Sequence, residues 1–239
     1  THAVDIISIA VTKNARSKFF PLLSGLNWVW VDYAKPGLDL TRAVVDAMNG
    51  NRKDILVLGN HGLVVAGDDC AEVIELMETV QLRCRLNARS VDEKAHSSGV
   101  KFPFGCWELS PDEVINSLAL DSQSYQIFRE GIIYPDQAVF LGNCPCFVGF
   151  GENSIEVIES YNIEHGEYPV YYIHEGFGVY ISELATNGLL SMLKCHGDVL
   201  LRIEGNQQIN TLSVDKVAEL MDWDAEKYRK VLDQSMRGI

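Results

Sequence analysis

Short apolar runs alternate with helical stripes in the first part of the chain. Apolar residues crowd onto one side of residues 3–14, which predicts a helix directly after His2. Two runs rich in β-branched residues, Trp28–Val31 and Ile55–Leu58, predict short buried strands. A further run over residues 63–66 follows a tight turn with two glycines, so it is expected to return beside the preceding strand as a hairpin.

Two amphipathic stretches flank this hairpin. The first begins near Asp39 and ends at Gly50, a residue that commonly stops helices. The second begins after Asp68 and Asp69, which are expected to cap it, and extends to about residue 91. Its apolar residues recur every three or four positions: Val73, Leu76, Met77, Val80, Cys84 and Ala88. Strands that alternate with helices in this way indicate an α/β fold.

The composition changes over residues 96–105, which resemble a linker, so we predict a first domain over residues 1–98 and a second over 106–239. The second part again mixes helices and strands and is predicted to be a smaller α/β domain. Helices are expected at 111–118, 155–163, 183–203 and 224–235, a loop and strand at 134–141, and two hairpin strands at 170–173 and 178–181.

Charge and composition restrict the classes of partner. The formal net charge of the 239-residue chain is −13, which argues against nucleic acid or an anionic membrane as the main partner, since both require a basic surface. No apolar run approaches the roughly 20 residues needed to span a bilayer. The six cysteines are irregularly spaced, which favours free thiols and a cytoplasmic location. A small anionic substrate is compatible with this charge, because a local pocket can be positive.

Two histidines carry the clearest candidate chemistry. His2 precedes the first predicted helix, and His61 lies in the glycine-flanked turn between two predicted strands. Neutral imidazole is the commonest protein ligand for metals, and two converging imidazoles would form most of a zinc site. The alternative is structural: asparagine and glycine are favoured in turns whatever lies between them, and a histidine at residue 2 is ordinarily an exposed side chain.

The same residues resemble a known family. Residues 1–10, with His2 followed by Ala3, resemble the His-x-His-Ala segment of the class II aldolase/adducin family. Residues 30–37 resemble its short strand and Tyr-Ala-x-x-Gly turn, and residues 60–67 resemble its His-Gly-Leu hairpin, which a long helix follows. The order and spacing agree over residues 1–95. The resemblance implies a three-layer α/β/α sheet domain without its N-terminal part, followed by the smaller α/β domain.

The family resemblance also implies a site for Zn²⁺ or another divalent metal, made by three histidines. His2 would be the second ligand and His61 the third, with the first expected just before Thr1 and the acidic general base further upstream. The catalytic residues of the chain itself are therefore left unknown. In fuculose-phosphate-type members a tyrosine from a neighbouring subunit acts as the acid, but the corresponding stretch here contains Phe19 and Phe20.

The second part of the chain resembles one subfamily. Residues 131–139 resemble a Gly-x-x-Thr-Pro-Asp-His segment of rhamnulose-phosphate-aldolase-like proteins, with Tyr134 and Gln137 in place of the threonine and the histidine. Residues 168–170 and 175–180 resemble a later strand and turn of the same proteins. In such bifunctional proteins a dehydrogenase domain often follows, but this chain contains no dinucleotide-binding fingerprint.

The implied activity is retro-aldol cleavage of a ketose 1-phosphate such as rhamnulose 1-phosphate, by a homo-oligomer. Three alternatives stay open. The same site could serve epimerisation, dehydration or decarboxylation of a sugar phosphate or carboxylate. The chain could be a non-enzymatic, adducin-like scaffold, although retention of His2 and His61 favours an enzyme. The chain as given, without the upstream ligand and base, could itself be inactive.

Four other features have structural interpretations. Cys144 and Cys146 form a weak candidate for a thiol pair, because no second pair accompanies them. Residues 149–154 lack the lysine of a phosphate loop and are expected to form a turn that caps a helix. His174 is expected to be a satisfied histidine at a strand end. His196 is expected to pack within a helix.

Overall fold

The computed structural model describes residues 1–91, 106–205, 207–224 and residue 228. These residues divide into two compact units whose segments interleave along the chain. Unit 1 comprises residues 1–88, 133–135 and 202–222, and unit 2 comprises residues 89–132, residues 136–201 and those from 223 on. The linker predicted at 96–105 and most of the helix predicted at 224–235 lie outside the described residues, so the domain boundary stays a prediction.

Unit 1 is built on a three-stranded sheet in the order β1-β2-β3. The first two strands are parallel, with Trp28 opposite Ile55, and the last two form an antiparallel hairpin. The three predicted strands are thereby confirmed. The elements of unit 1 are α1 (Val4–Ala10), α2 (Ala15–Leu22), β1 (Trp28–Val31), α3 (Leu38–Met48), β2 (Ile55–Leu58), β3 (Gly62–Val65), α4 (Cys70–Arg83) and α10 (Val214–Met221).

The central strand β2 explains why this sheet is stable. All four of its residues are buried, and successive side chains point to opposite faces of the sheet. Ile55 and Val57 join a core with residues of α1, α2 and α4, whereas Leu56 and Leu58 pack with residues of α3. Both faces of β2 are thus covered, as expected for an apolar strand in an α/β fold.

Two helices of unit 1 are shorter than the apolar pattern predicts. The single helix expected over residues 3–14 ends at Ala10, because the backbone of residues 11–13 pairs with residues 208–210 instead of continuing the helix. The helix expected to reach residue 91 ends at Arg83. Three residues later, the backbone N–H of Leu86 donates to the Asp5 carboxylate. In both places the backbone forms a hydrogen bond to a distant residue instead of the predicted hydrogen bond within the helix.

Unit 2 contains a four-stranded sheet in the order β4-β7-β6-β5. Strands β5 and β6 are parallel, and the β6–β7 pair forms the predicted hairpin. Stacked rings of Tyr172 and Tyr180, 4.8 Å apart, lie in its core beside Trp107. The elements are β4 (Trp107–Leu109), α5 (Glu113–Leu120), α6 (Ser122–Glu130), α7 (Pro135–Leu141), β5 (Cys146–Val148), α8 (Ser154–His165), β6 (Tyr171–His174), β7 (Gly178–Ser182) and α9 (Asn187–Leu201).

The strand predicted within residues 134–141 was wrong, because α7 occupies that stretch. Pro135 begins the helix, a position that tolerates proline because its N–H would have no helical partner. Asp136 lies in the first turn, where negative charge suits the helix dipole. Burial is nearly continuous along α7, and a buried apolar run has no periodicity that separates helix from strand.

The α/β class is confirmed, since helices and mixed sheets occur in both units. The three-layer arrangement stays a prediction. Among the described residues, none of the helices combines the length and apolar character that a bilayer crossing requires.

Candidate metal centre

Backbone pairing positions His2 beside the hairpin of unit 1. The amino group of Thr1 donates to the Leu63 carbonyl oxygen at 2.6 Å, and the Leu63 N–H donates to the Thr1 carbonyl oxygen at 3.1 Å. This reciprocal exchange is the pattern of an antiparallel ladder. It holds residue 1 against β3 and leaves the next residue, His2, level with the turn that carries His61.

Gly62 makes this close approach possible. Its φ of +152° lies in the region that favours glycine, and a Cβ added there would lie 2.6 Å from the Thr1 carbonyl oxygen. Any side chain at this position would therefore collide with the backbone that leads into His2. His61 and Gly62 thus have separate roles. His61 supplies an imidazole, and Gly62 leaves room for the backbone of Thr1.

Asn60 anchors the other side of the turn. It is 1% exposed and adopts a left-handed conformation with φ of +53°. Its side-chain amide donates to the carbonyl oxygens of Ile133 and Asn210, at 2.9 and 2.5 Å. The Asn210 amide donates back to the Asn60 Oδ1 at 2.9 Å. The sequence predicted only a turn residue at Asn60. It did not reveal these hydrogen bonds, because the partner Asn210 lies 150 residues further along the chain.

The two imidazoles converge. Their ring centroids are 5.5 Å apart and the ring planes are inclined by 19°. A ring nitrogen of His2 lies within 4.8 Å of a ring nitrogen of His61. Two histidine nitrogens on one tetrahedral zinc are about 3.4 Å apart, so a small rotation of the rings brings them to ligand spacing. His2 is exposed and His61 is half-buried, which leaves room for that rotation at His2. The donor set therefore fits a divalent metal.

Tyr33 lies just after β1, at the sheet edge that also carries the turn. Its backbone N would be 3.4 Å from a Cβ added at Gly59, the residue that leads into the turn. The Tyr33 hydroxyl is buried and has no hydrogen-bond partner among the described residues. Burial raises the pKa of the phenol, with a further contribution from Glu219, so it stays protonated at neutral pH. Lys216 lies 5.0 Å from the ring centroid.

Comparison with known families matches residues 1–88 to the family model described as Class II Aldolase and Adducin N-terminal domain. The matched segment covers 88 of the 239 residues and is similar to that family's N-terminal domain. The predicted family is confirmed, and its bounds include both His2 and His61. Comparison with curated proteins and with solved structures gave no match. The rhamnulose-phosphate-aldolase-like subtype therefore stays a prediction.

Other residues of the segment that matches this family have structural roles. Phe19 is fully buried in the core, and Phe20 is exposed beside Trp28. At the start of α4, the Asp69 side chain accepts from the Glu72 N–H at 2.9 Å, which confirms the predicted cap. Asp68 forms an ion pair with Arg52 at 2.9 Å.

In unit 2, two of the four remaining structural interpretations are confirmed, those for residues 149–154 and for His196. Asn153 caps α8 through the Ile155 N–H. Cys146 is a buried thiol, and burial raises its pKa to about 12; the interpretation of Cys144 and Cys146 as a weak candidate pair stays a prediction. His196 packs in α9 against Phe128, with ring centroids 4.3 Å apart.

The expectation for His174 was half wrong. It lies at the end of β6, as predicted, and its ring stacks on Phe177 with centroids 4.3 Å apart. Both ring nitrogens are buried and make no hydrogen bond within the described part of the chain, so the histidine is not satisfied. Burial lowers the pKa of the imidazole, which keeps it neutral.

Proposed function

We propose that the chain is the metal-binding part of a class II aldolase, in which His2 and His61 ligate Zn²⁺ or another divalent ion. The supporting observation is the convergence of the two imidazoles within the segment that matches the family. The proposed reaction is retro-aldol cleavage of a ketose 1-phosphate, with rhamnulose 1-phosphate as the model substrate. A divalent metal at such a site supplies Lewis-acid polarisation of a substrate carbonyl.

The protein's own contribution is to hold the ligand nitrogens in place. The Thr1–Leu63 pair fixes the backbone next to His2, and the Asn60–Asn210 pair fixes the backbone next to His61. Preorganised ligands reduce the cost of ordering the side chains when the metal binds. Protons compete with metals for imidazole nitrogens, so the metal affinity is expected to decrease as the pH decreases.

We also propose that the protein works as a cytoplasmic homo-oligomer on a small sugar-phosphate substrate. These parts of the proposal rest on the cysteine usage, the acidic charge and the family. Light scattering coupled to size-exclusion chromatography measures the oligomer directly, and a monomeric mass at assay concentration would contradict that part.

The activity test is cleavage of rhamnulose 1-phosphate by the full-length protein, followed through release of dihydroxyacetone phosphate. We expect EDTA to abolish the activity and added Zn²⁺ or another divalent metal to restore it. His61→Ala should be inactive, because it removes one of the proposed metal ligands. His165→Ala is the matched control, since His165 is an exposed histidine of unit 2. Cleavage that resists EDTA, or that survives in His61→Ala, would contradict the proposal.

A further inference from the structure

Unit 1 contains a cavity of about 320 Å³ that the metal centre does not use. It lies where α1 and α2 meet the segment that follows α9, and neither His2 nor His61 lines it. Small-molecule sites typically occupy roughly 300–1,000 Å³ and have mainly apolar walls with a few polar groups. The walls here follow that description, since five apolar side chains line them: Ile9, Pro21, Leu22, Leu86 and Ile203.

Most polar groups of this cavity are already engaged by the protein. The hydroxyl of Ser8 donates to the Val4 carbonyl oxygen, and that of Thr12 donates to the Ile9 carbonyl oxygen, both at 2.8 Å. The guanidinium of Arg202 pairs with the Asp5 carboxylate at 3.2 Å.

Lys18 is the exception. This lysine lines the cavity, is half-buried and makes no hydrogen bond or ion pair within the described residues. Desolvation lowers the pKa of its ammonium group, and the charge of the Glu204 carboxylate only partly offsets the effect. A carboxylate bound beside Lys18 would supply the missing counter-charge.

The charge of this cavity differs from that of two other cavities in the molecule. Lys18, Arg202 and Glu204 are its charged lining residues, and because Arg202 pairs with Asp5, Lys18 is the lining cation without an ion pair among the described residues. The groove along α8 has one arginine against three glutamates, and the cavity near β4 has two glutamates and no lysine or arginine among its lining residues. In a chain with a net charge of −13, a cavity lined by a lysine that has no ion pair among the described residues favours an anion locally.

We propose that this cavity is a binding site for a small monocarboxylate with an apolar body, whose carboxylate pairs with Lys18 and whose body lies on the apolar walls. The proposal is independent of the metal centre and of the aldolase reaction. The cavity is small and has one uncompensated cation, which fits one anionic group and a single ring or branched chain better than a diphosphate or a polymer.

Isothermal titration calorimetry of the metal-stripped protein tests this proposal, with 3-phenylpropionate as the probe. Removing the metal first ensures that the probe cannot bind as a metal ligand. We expect 3-phenylpropionate to bind and 3-phenylpropan-1-ol and 3-phenylpropylamine to bind at least about tenfold more weakly, because they lack the charge that pairs with Lys18.

Two variants test the location of the site, and a third variant serves as the control. Lys18→Met keeps the length of the side chain and should weaken binding of 3-phenylpropionate about tenfold or more. Gln207→Trp places an indole where the amide lines the cavity and should abolish binding. Lys13→Met, a change at an exposed lysine outside the cavity, should bind like the wild type. Absence of binding to the wild type, or equal binding by Lys18→Met and the wild type, would overturn the proposal.

Discussion

At the scale of single residues, the candidate site depends on two positions that are not metal ligands. Gly62 provides the space for Thr1, and Asn60 ties the turn to Asn210 and Ile133. Both flank His61, so its imidazole is positioned by its immediate neighbours on each side. A sequence search for histidines finds His61 but assigns no role to these neighbours.

Gly62→Ala is expected to destabilise unit 1 by about 1–3 kcal/mol, because the new Cβ meets the Thr1 carbonyl and the backbone is strained at positive φ. Gly25→Ala is the control, since Gly25 has φ of +80° but open space around its Cβ position. Urea denaturation measures both. If Gly62→Ala lowers the free energy of unfolding no more than Gly25→Ala does, the contact with Thr1 is unimportant.

The Asn60–Asn210 pair is expected to behave as one coupled unit. Asn60→Gly keeps the left-handed backbone accessible but removes the amide, and should cost about 1–3 kcal/mol because buried partners lose their hydrogen bonds. Asn210→Ala removes the same contact from the other side. A double-mutant cycle in urea should give a coupling energy of about 0.5–3 kcal/mol. Additive effects would mean that the two amides do not stabilise each other.

At the scale of elements, the sequence predicted the strands of unit 1 better than the ends of its helices. Strands β1, β2 and β3 follow from their apolar runs and from the glycine-flanked turn. The helices α1 and α4 end early because residues 11–13 and Leu86 hydrogen-bond to distant parts of the chain. Helix α7 was missed because its burial on all sides hides its periodicity. Local patterns contain no information about such long-range partners.

The burial of His196 in α9 leads to a prediction about how the free energy of unfolding depends on pH. His196 is fully buried, and desolvation lowers its pKa to about 3. An unfolded histidine binds a proton near pH 6.5, so below that pH the unfolded state holds a proton that the folded state excludes. The free energy of unfolding should therefore be unaffected by His196 above about pH 6.5. It should decrease as the pH falls towards 3, by up to about 1.4 kcal/mol per pH unit.

His196→Phe tests this assignment, because it keeps a ring beside Phe128 and removes the titrating group. Urea denaturation between pH 7 and pH 4 should show a smaller loss of stability in His196→Phe than in the wild type. The same pH dependence in both proteins would assign the effect to other groups, such as the buried His174.

At the scale of the whole molecule, the order of residues along the chain does not show which segments form each unit. Residues 133–135 and 202–222 belong to unit 1, although most of unit 1 precedes residue 89. The predicted division into residues 1–98 and 106–239 follows composition, which is a local property. Compactness depends on contacts such as Asn60–Asn210, which no local pattern reveals. The resemblance to a family, by contrast, depended on short motifs in order, and it was confirmed over residues 1–88.

The metal centre is the central claim, and the metal content of purified protein tests it most directly. Wild type, His61→Ala and the control His165→Ala are loaded with Zn²⁺, desalted and measured by mass spectrometry of the bound metal. The structure predicts about one ion per chain in the wild type and in the control, and a large loss in His61→Ala because one of two converging ligands is gone. Full metal content in His61→Ala would contradict it.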